Sequence, residues 1–188
     1  MLKKFVFLDR DGVINYDSPD YIKCWKEFKF LPGSLEAIKK LTVNGFSIIL
    51  ITNQSVIRRH MVTRDGLEHI HSMMNRAVES TGGKITDIFY CPHLPEDRCK
   101  CRKPEPGLIL RAQNRYHIDL ASAVMAGDSA KDIECAVNAG CGRAVLIKTG
   151  NGMHAEAILQ KKHILPDYVA ENLLDAADWI IRSSRYGS

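Results

Sequence analysis

Short apolar runs alternate along the chain with stretches of helical spacing. Residues 5–8, 47–51, 85–90, 123–126 and 144–147 are of strand length and carry few polar interruptions. Between them, apolar residues recur at intervals of three and four: Leu35, Ile38 and Leu41, closed by Gly45; Leu67, Ile70, Met74 and Val78, closed by Gly82 and Gly83. The same spacing joins Leu108, Leu110 and Ala112 after Pro106, and Ile133, Ala136 and Val137 before Gly140. Two further helices are predicted at 155–161 and at about 171–181, the latter carrying Leu173, Leu174, Ala177 and Trp179. Strands apolar on both faces belong in the middle of a layered fold, so the pattern predicts an α/β protein: a Rossmann-like parallel sheet with helices on both faces.

The connection from residue 12 to residue 32 is too long for an ordinary βα loop of ~2–6 residues, which suggests that it covers a site. No repeat, low-complexity segment or linker divides the 188 residues, and the whole chain, 1–188, reads as one domain. A chain of this length has no room for a separate cap domain, so loops must supply substrate specificity.

Composition narrows the function classes. Hydrophobic residues at 45% and charged residues at 26% are those of a folded globular protein rather than a disordered chain. The net charge of +4 is not gathered into a basic run or an aromatic-rich groove. Nucleic acid is therefore not the expected partner, whereas a small anion is compatible. The apolar stretch at the N-terminus is cut off by Asp9, Arg10 and Asp11, short of a leader's ~7–15 apolar residues, and no stretch approaches a bilayer span. The expectation is a cytoplasmic monomer without a membrane partner.

In an open parallel sheet, ligands bind beyond the carboxyl ends of the strands. Asp9 and Asp11 follow the first apolar run, Thr52, Asn53 and Gln54 the second, and Gly127, Asp128 and Ser129 the fourth. Any one of these sets could serve only as a helix cap or turn. All three on one edge point to a polar site. Two carboxylates two residues apart, with a third from another strand, suit a hard cation such as Mg²⁺. One carboxylate could attack phosphorus while the other handles the leaving-group proton. An ordinary Asp, with pKa ~3.9, is protonated only about once in a thousand molecules at pH 7, so the proton donor needs a raised pKa.

Phe7-Leu8-Asp9-Arg10-Asp11-Gly12, Ile51-Thr52-Asn53-Gln54, Arg102-Lys103-Pro104 and Gly127-Asp128-Ser129-Ala130-Lys131-Asp132 resemble, in order and spacing, the four motifs of the haloacid dehalogenase superfamily of phosphatases. The resemblance implies that Asp9 becomes an aspartyl-phosphate and that Asp11 protonates the leaving alkoxide, then activates water. Thr52 and Lys103 would hold the transferring phosphoryl group. Mg²⁺ would sit on the Asp9 carboxylate, the Asp11 backbone carbonyl and Asp128. Asp132 is either a supporting partner of that site or a solvated helix residue.

Six cysteines are unevenly placed: Cys91, Cys99 and Cys101 cluster with His93, while Cys24, Cys135 and Cys141 are scattered. In a reducing compartment a dense Cys₃His set reads as a closed tetrahedral zinc site, structural because no coordination position is left open. A catalytic thiol lacks the base and orienting partner it would need. Arg102 and Lys103 follow Cys101 directly, so a zinc-ordered loop would aim both at the phosphate site.

Motifs and zinc loop together resemble two subfamilies, the heptose 1,7-bisphosphate 7-phosphatases and the histidinol-phosphate phosphatases. The short zinc loop favours the second. Asn15, the stretch 17–23, the run 31–38, Thr52-Asn53-Gln54-Ser55 and residues 103–107 favour the first, and carry more weight because they line the expected substrate side. On that reading the substrate is a phosphosugar from the synthesis of nucleotide-activated heptose. Arg102 recognises the C1 phosphate, and Asp17, Tyr21, Thr52, Asn53, Gln54 and Ser55 contact the sugar and the transferred phosphate. Where the family carries glycines after Ser55, this chain has Val56-Ile57-Arg58-Arg59-His60, which leaves the shape of that side of the pocket open; Arg58 and Arg59 are either solvated surface charge or a second contact for an anion. Other readings, a DNA 3′-phosphatase or a zinc-stabilised binding protein, are countered by the weak charge and by the presence of both Asp9 and Asp11.

Overall fold

The computed structural model describes residues 4–184. Residues 1–3, part of the stretch weighed as a leader, lie outside the described residues. Six parallel strands form one sheet in the order β3-β2-β1-β4-β5-β6: β1 (Lys4–Leu8), β2 (Phe46–Asn53), β3 (Ile85–Cys91), β4 (Val124–Gly127), β5 (Arg143–Ile147) and β6 (Tyr168–Ala170). Among the described residues six α-helices connect or follow them: α1 (Ser34–Val43), α2 (Arg64–Ser80), α3 (Gly107–Tyr116), α4 (Ala130–Ala139), α5 (Gly152–Lys161) and α6 (Leu173–Ser183).

The alternation of side chains along each strand divides the core in two. Val6, Leu8, Ile48, Leu50, Val124 and Ala126 face α1, α2 and α6, whereas Phe5, Phe7, Ile49, Ile51 and Met125 face α3, α4 and α5. Burying each of these larger side chains stabilises the fold by roughly 1.5–3 kcal/mol against leaving it in water. The expected three-layer parallel sheet is the observed one.

Differences lie at the margins. β2 runs on through Thr52 and Asn53, paired with Tyr90 and Cys91 of β3, so these two are strand residues rather than the start of a loop. β6 was not expected, because three residues at a sheet edge are too few to show a period. Leu110 and Val137, counted on apolar faces, are 38% and 57% exposed. α5 starts at Gly152 rather than 155, and α6 starts after Asn172, whose side chain accepts from the Asp175 N–H at 3.0 Å. Among the described residues, no helix is long and apolar enough to cross a membrane.

Strand order reverses between β1 and β4, which opens a crevice at their carboxyl ends. The 12–32 connection is an ordered strap beside it. Asn15 bridges to Asp11 and Phe30, and Trp25, Phe28 and Phe30 pack with ring centroids 5.0–6.2 Å apart. That aromatic anchor leaves the strap's outer part, with Asp17 and Tyr21, on the wall of the crevice.

Candidate active site

A cavity of about 590 Å³ occupies the switch point between β1 and β4. Asp9, Asp11, Asp17, Tyr21, Asn53, Gln54, Ser55, Arg102, Lys103 and Asp128 all border it, so ten of the expected site residues converge there. Thr52 does not border it. Its side chain is buried behind the wall, where the hydroxyl accepts from Gln54 Nε2 at 2.9 Å.

Lys103 organises the floor. Its ammonium donates to the Ile51 carbonyl at 2.7 Å and forms ion pairs with Asp9 Oδ1 at 2.9 Å and Asp132 Oδ1 at 2.6 Å. Burial opposes the charge, but Asp132 and Asp9 outweigh it and hold the lysine above its usual pKa. Asn53 fixes the backbone of the same residue: its Oδ1 accepts from Lys103 N at 3.1 Å and its Nδ2 donates to Lys103 O at 3.3 Å.

Asp132 is not a solvated helix residue. It is fully buried, and besides Lys103 it accepts from the N–H and hydroxyl of Ser129 at 3.0 and 2.8 Å, at the N-terminus of α4. Gly127 permits this approach, because a Cβ there would overlap the Asp132 carboxylate. Gly12 and Gly150 likewise leave the space that the Asp128 carboxylate fills, and Asn151 N–H donates to Asp128 Oδ2 at 2.8 Å.

The two aspartates of the first motif are held differently. Asp9 is pushed up to about 7, chiefly by burial, with Asp132 and Asp11 adding and Lys103 opposing. Burial also acts on Asp11, but there the Arg10 charge and hydrogen bonds from Arg10, Asn15 and Gln54 prevail and lower its pKa. Arg10 Nη2 and Asn15 Nδ2 donate to Asp11 Oδ1, each at 2.9 Å, and Gln54 Nε2 donates to Oδ2 at 2.8 Å. These contacts favour ionised Asp11, so the raised pKa that a proton donor needs is left, as expected, to the negative charge of a bound phosphate.

The donor set fits a magnesium ion. Carboxylate oxygens of Asp9, Asp128 and Asp132 lie within 4.8 Å of one another, and one lysine cannot balance three carboxylates. Asp128 is accordingly pushed up to about 8, by burial first and then by Asp9 and Asp132. Since Lys103 and Ser129 engage Asp132, the oxygens left for a cation are those of Asp9 and Asp128.

The Cys₃His set also assembles. Sγ of Cys91, Cys99 and Cys101 and Nδ1 of His93 are 3.3–3.5 Å apart in the contacts that join them. A tetrahedron with such edges has its centre about 2.1 Å from each corner, close to the ~2.0–2.3 Å of zinc–nitrogen and zinc–sulfur bonds. Burial and neighbouring sulfur raise the Cys91 thiol, so the three thiols do not ionise together without a cation. The cluster could bind zinc. It adjoins the crevice through Arg102, whose Nη1 donates to the His93 carbonyl at 3.0 Å.

Arg58 and Arg59 part company. Arg58 is largely exposed, 3.8 Å from Asp97, and lines a neighbouring concavity, whereas Arg59 borders the crevice with its guanidinium 5.5 Å from the Tyr21 ring centre. Sequence reasoning left Arg10 and His71 without a role, although both stand behind Asp11. For His71 the signal was position: it lies four residues after Leu67 and three before Met74, on the buried stripe of α2.

The model of the HAD-hydrolase-like family matches residues 100–176. The D-glycero-beta-D-manno-heptose-1,7-bisphosphate 7-phosphatase of Bordetella bronchiseptica is 45% identical over 149 residues, 79% of this chain and 83% of that one. The enzyme of the same name from Escherichia coli K12 is 37% identical over 185 residues, 95% of this chain and 88% of that one. Among solved structures, D,D-heptose 1,7-bisphosphate phosphatase from B. bronchiseptica, complexed with magnesium and phosphate, superposes with TM-score 0.89 at 41% identity, covering 96% of this chain and 99% of that one. The Burkholderia thailandensis enzyme gives TM-score 0.72 at 31% identity over 95% and 99% of the two chains. These relatives carry the heptose name and lend no support to the histidinol-phosphate alternative.

Proposed function

The chain belongs to the D-glycero-beta-D-manno-heptose-1,7-bisphosphate 7-phosphatase family of haloacid dehalogenase-like hydrolases, and we propose that it releases the 7-phosphate of a heptose 1,7-bisphosphate through an aspartyl-phosphate on Asp9. The observation that carries this reading is the pairing of Asp9 with Lys103 on the crevice floor, with Asp11 on the same wall. Asp9 and Asp11 keep 14% and 21% of their side chains accessible, while Lys103 and Asp132 behind them are sealed at 2% and 0%.

In the first half-reaction an Asp9 oxygen forms a bond to phosphorus as the bond to the sugar oxygen breaks, and Asp11 gives that oxygen a proton. In the second, water attacks phosphorus, Asp11 takes a proton from it, and the Asp9–phosphoryl bond breaks to free phosphate. The ionised Asp11 that its hydrogen bonds favour is the form needed for the second half. Lys103 offsets charge on the transferring group, and Asn53 keeps Lys103 in place. Magnesium, held by Asp9, Asp128 and the Asp11 backbone carbonyl, would supply charge neutralisation of phosphate oxygens.

Thr52 is joined to Asp11 through the Gln54 amide, and its hydroxyl keeps a donor for the transferring phosphoryl group. Arg102 provides a guanidinium for the C1 phosphate, and Asp17, Tyr21, Gln54 and Ser55 border the sugar. Zinc held by Cys91, His93, Cys99 and Cys101 would be structural and would order the loop that delivers Arg102 and Lys103. We place this chemistry in the cytoplasm, in a monomer.

The test is phosphate release by the purified, magnesium-loaded protein from heptose 1,7-bisphosphate and from histidinol phosphate in parallel. The expected result is a large preference for the bisphosphate, abolished by Asp9→Asn. A preference for histidinol phosphate overturns the assignment.

A further inference from the structure

Arg10 is 1% exposed and among the largest fully buried side chains. A guanidinium is stable inside a protein only when its donors find partners. Nε and Nη2 face Asp11 Oδ1 at 3.2 and 2.9 Å, and the Phe28 ring centre lies 6.0 Å from its central carbon. The remaining edge faces α2, where Nη1 is 3.2 Å from Nε2 of His71.

Arginine has no acceptor, so this contact requires a lone pair on His71 Nε2 and the ring proton on Nδ1. Burial, then the Arg10 charge, lowers the imidazole to about 3, which keeps the ring neutral at working pH. The ring is 6% exposed and packs edge-on against Tyr90 at 6.0 Å between centroids, which limits its rotation.

We propose that His71 is a positioning residue for phosphoryl transfer: by accepting from Arg10 Nη1 it fixes the guanidinium so that the opposite edge holds Asp11 Oδ1. Gln54 then fixes Oδ2 from the far side, and the carboxylate is set in the plane in which it gives and takes protons. His71 touches no substrate. Its effect passes through Arg10 to Asp11, so the inference rests on the acid–base reading of Asp11.

A purely space-filling His71 would be replaceable by any side chain of like volume. An acceptor is not. His71→Leu keeps bulk and removes the lone pair, while His71→Gln carries an amide oxygen that reaches about as far as Nε2. The zinc-loaded chain is assayed with magnesium and heptose 1,7-bisphosphate, with thermal melting of each variant. Expected for His71→Leu is a fall in kcat of ~10–100-fold, the scale of a misplaced catalytic group, with KM little changed, and recovery of most of the loss in His71→Gln. Equal kcat in the Leu variant and wild type, or equal losses in Leu and Gln, overturns the proposal. ¹⁵N NMR of the wild-type protein decides the contact without turnover or any variant: His71 should show the Nδ1–H tautomer at neutral pH. A proton on Nε2 refutes it. A wild-type protein inactive on the bisphosphate but showing that tautomer refutes the substrate reading and leaves the Arg10–His71 contact standing.

Discussion

Asn53 grips Lys103 by the main chain, accepting from its N–H at 3.1 Å and donating to its carbonyl at 3.3 Å. The last residue of β2 thereby sets the position of a lysine that lies 50 residues away in sequence. Expected to touch substrate, Asn53 has both ends of its amide committed to this backbone. Asn53→Ala should lower kcat/KM by ~10-fold or more, as a displaced binding group does. Steady-state kinetics of Asn53→Ala, Lys103→Ala and the double variant check the mechanism: the losses should be markedly less than additive, because both act through one ammonium.

The carboxylate cluster predicts a pH dependence of stability. Folded-state pKa values of about 7 for Asp9 and about 8 for Asp128, against 3.8 for an ordinary aspartate, mean that the folded chain binds more protons than the unfolded chain across that window. Stability from these two is therefore lost as pH rises. His71, lowered to about 3 from 6.5, works oppositely but only below its unfolded value. Above pH 6.5 the carboxylates act without that opposition. Zinc-loaded, magnesium-free protein should melt at lower temperature at pH 8 than at pH 6.5, and the rise in Tm on adding Mg²⁺ should be greater at pH 8. Calorimetric scans at the two pH values provide the check.

Zinc should be present at one ion per chain in elemental analysis. A site of this class binds with ~10–16 kcal/mol of apparent free energy, ample to order its loop. Cys99→Ser should lower zinc content and loosen the His93 carbonyl that anchors Arg102. KM for the bisphosphate should then rise more than kcat falls, since Lys103 has the separate Asn53 anchor.

Asp11→Asn should slow both half-reactions with the bisphosphate, because the amide can neither give the sugar oxygen a proton nor take one from water. With p-nitrophenyl phosphate, whose leaving group needs no proton, only the second half should suffer, so phosphorylated Asp9 should accumulate in this variant and be visible by mass spectrometry of rapidly quenched protein. Asp9→Asn should show no phosphoprotein at all.

Much of this was legible in the chain because period and punctuation agree. The apolar runs and the glycines closing α1, α2 and α4 give the three layers, and acids after β1 and β4 mark the crevice. Thr52 illustrates the limit. Its motif marks it as a phosphate contact, but nothing local shows that its hydroxyl is buried and accepts from Gln54, which also holds Asp11. Strand alternation decides that, and it required knowing that β2 continues to Asn53. Asp132 could not be told from a surface acid until the absence of a Cβ at Gly127 and the arrival of Lys103 from another segment were visible. Arg10 and His71 escaped notice because a contact 61 residues apart in sequence leaves no local period.

The central claim is regiochemical, that one phosphate leaves and it is the one on C7. ³¹P NMR of heptose 1,7-bisphosphate incubated with the magnesium-loaded enzyme tests it directly. The account predicts that the C7 monoester resonance gives way to inorganic phosphate while the anomeric C1 resonance persists. Loss of the C1 resonance with the C7 ester intact would contradict it.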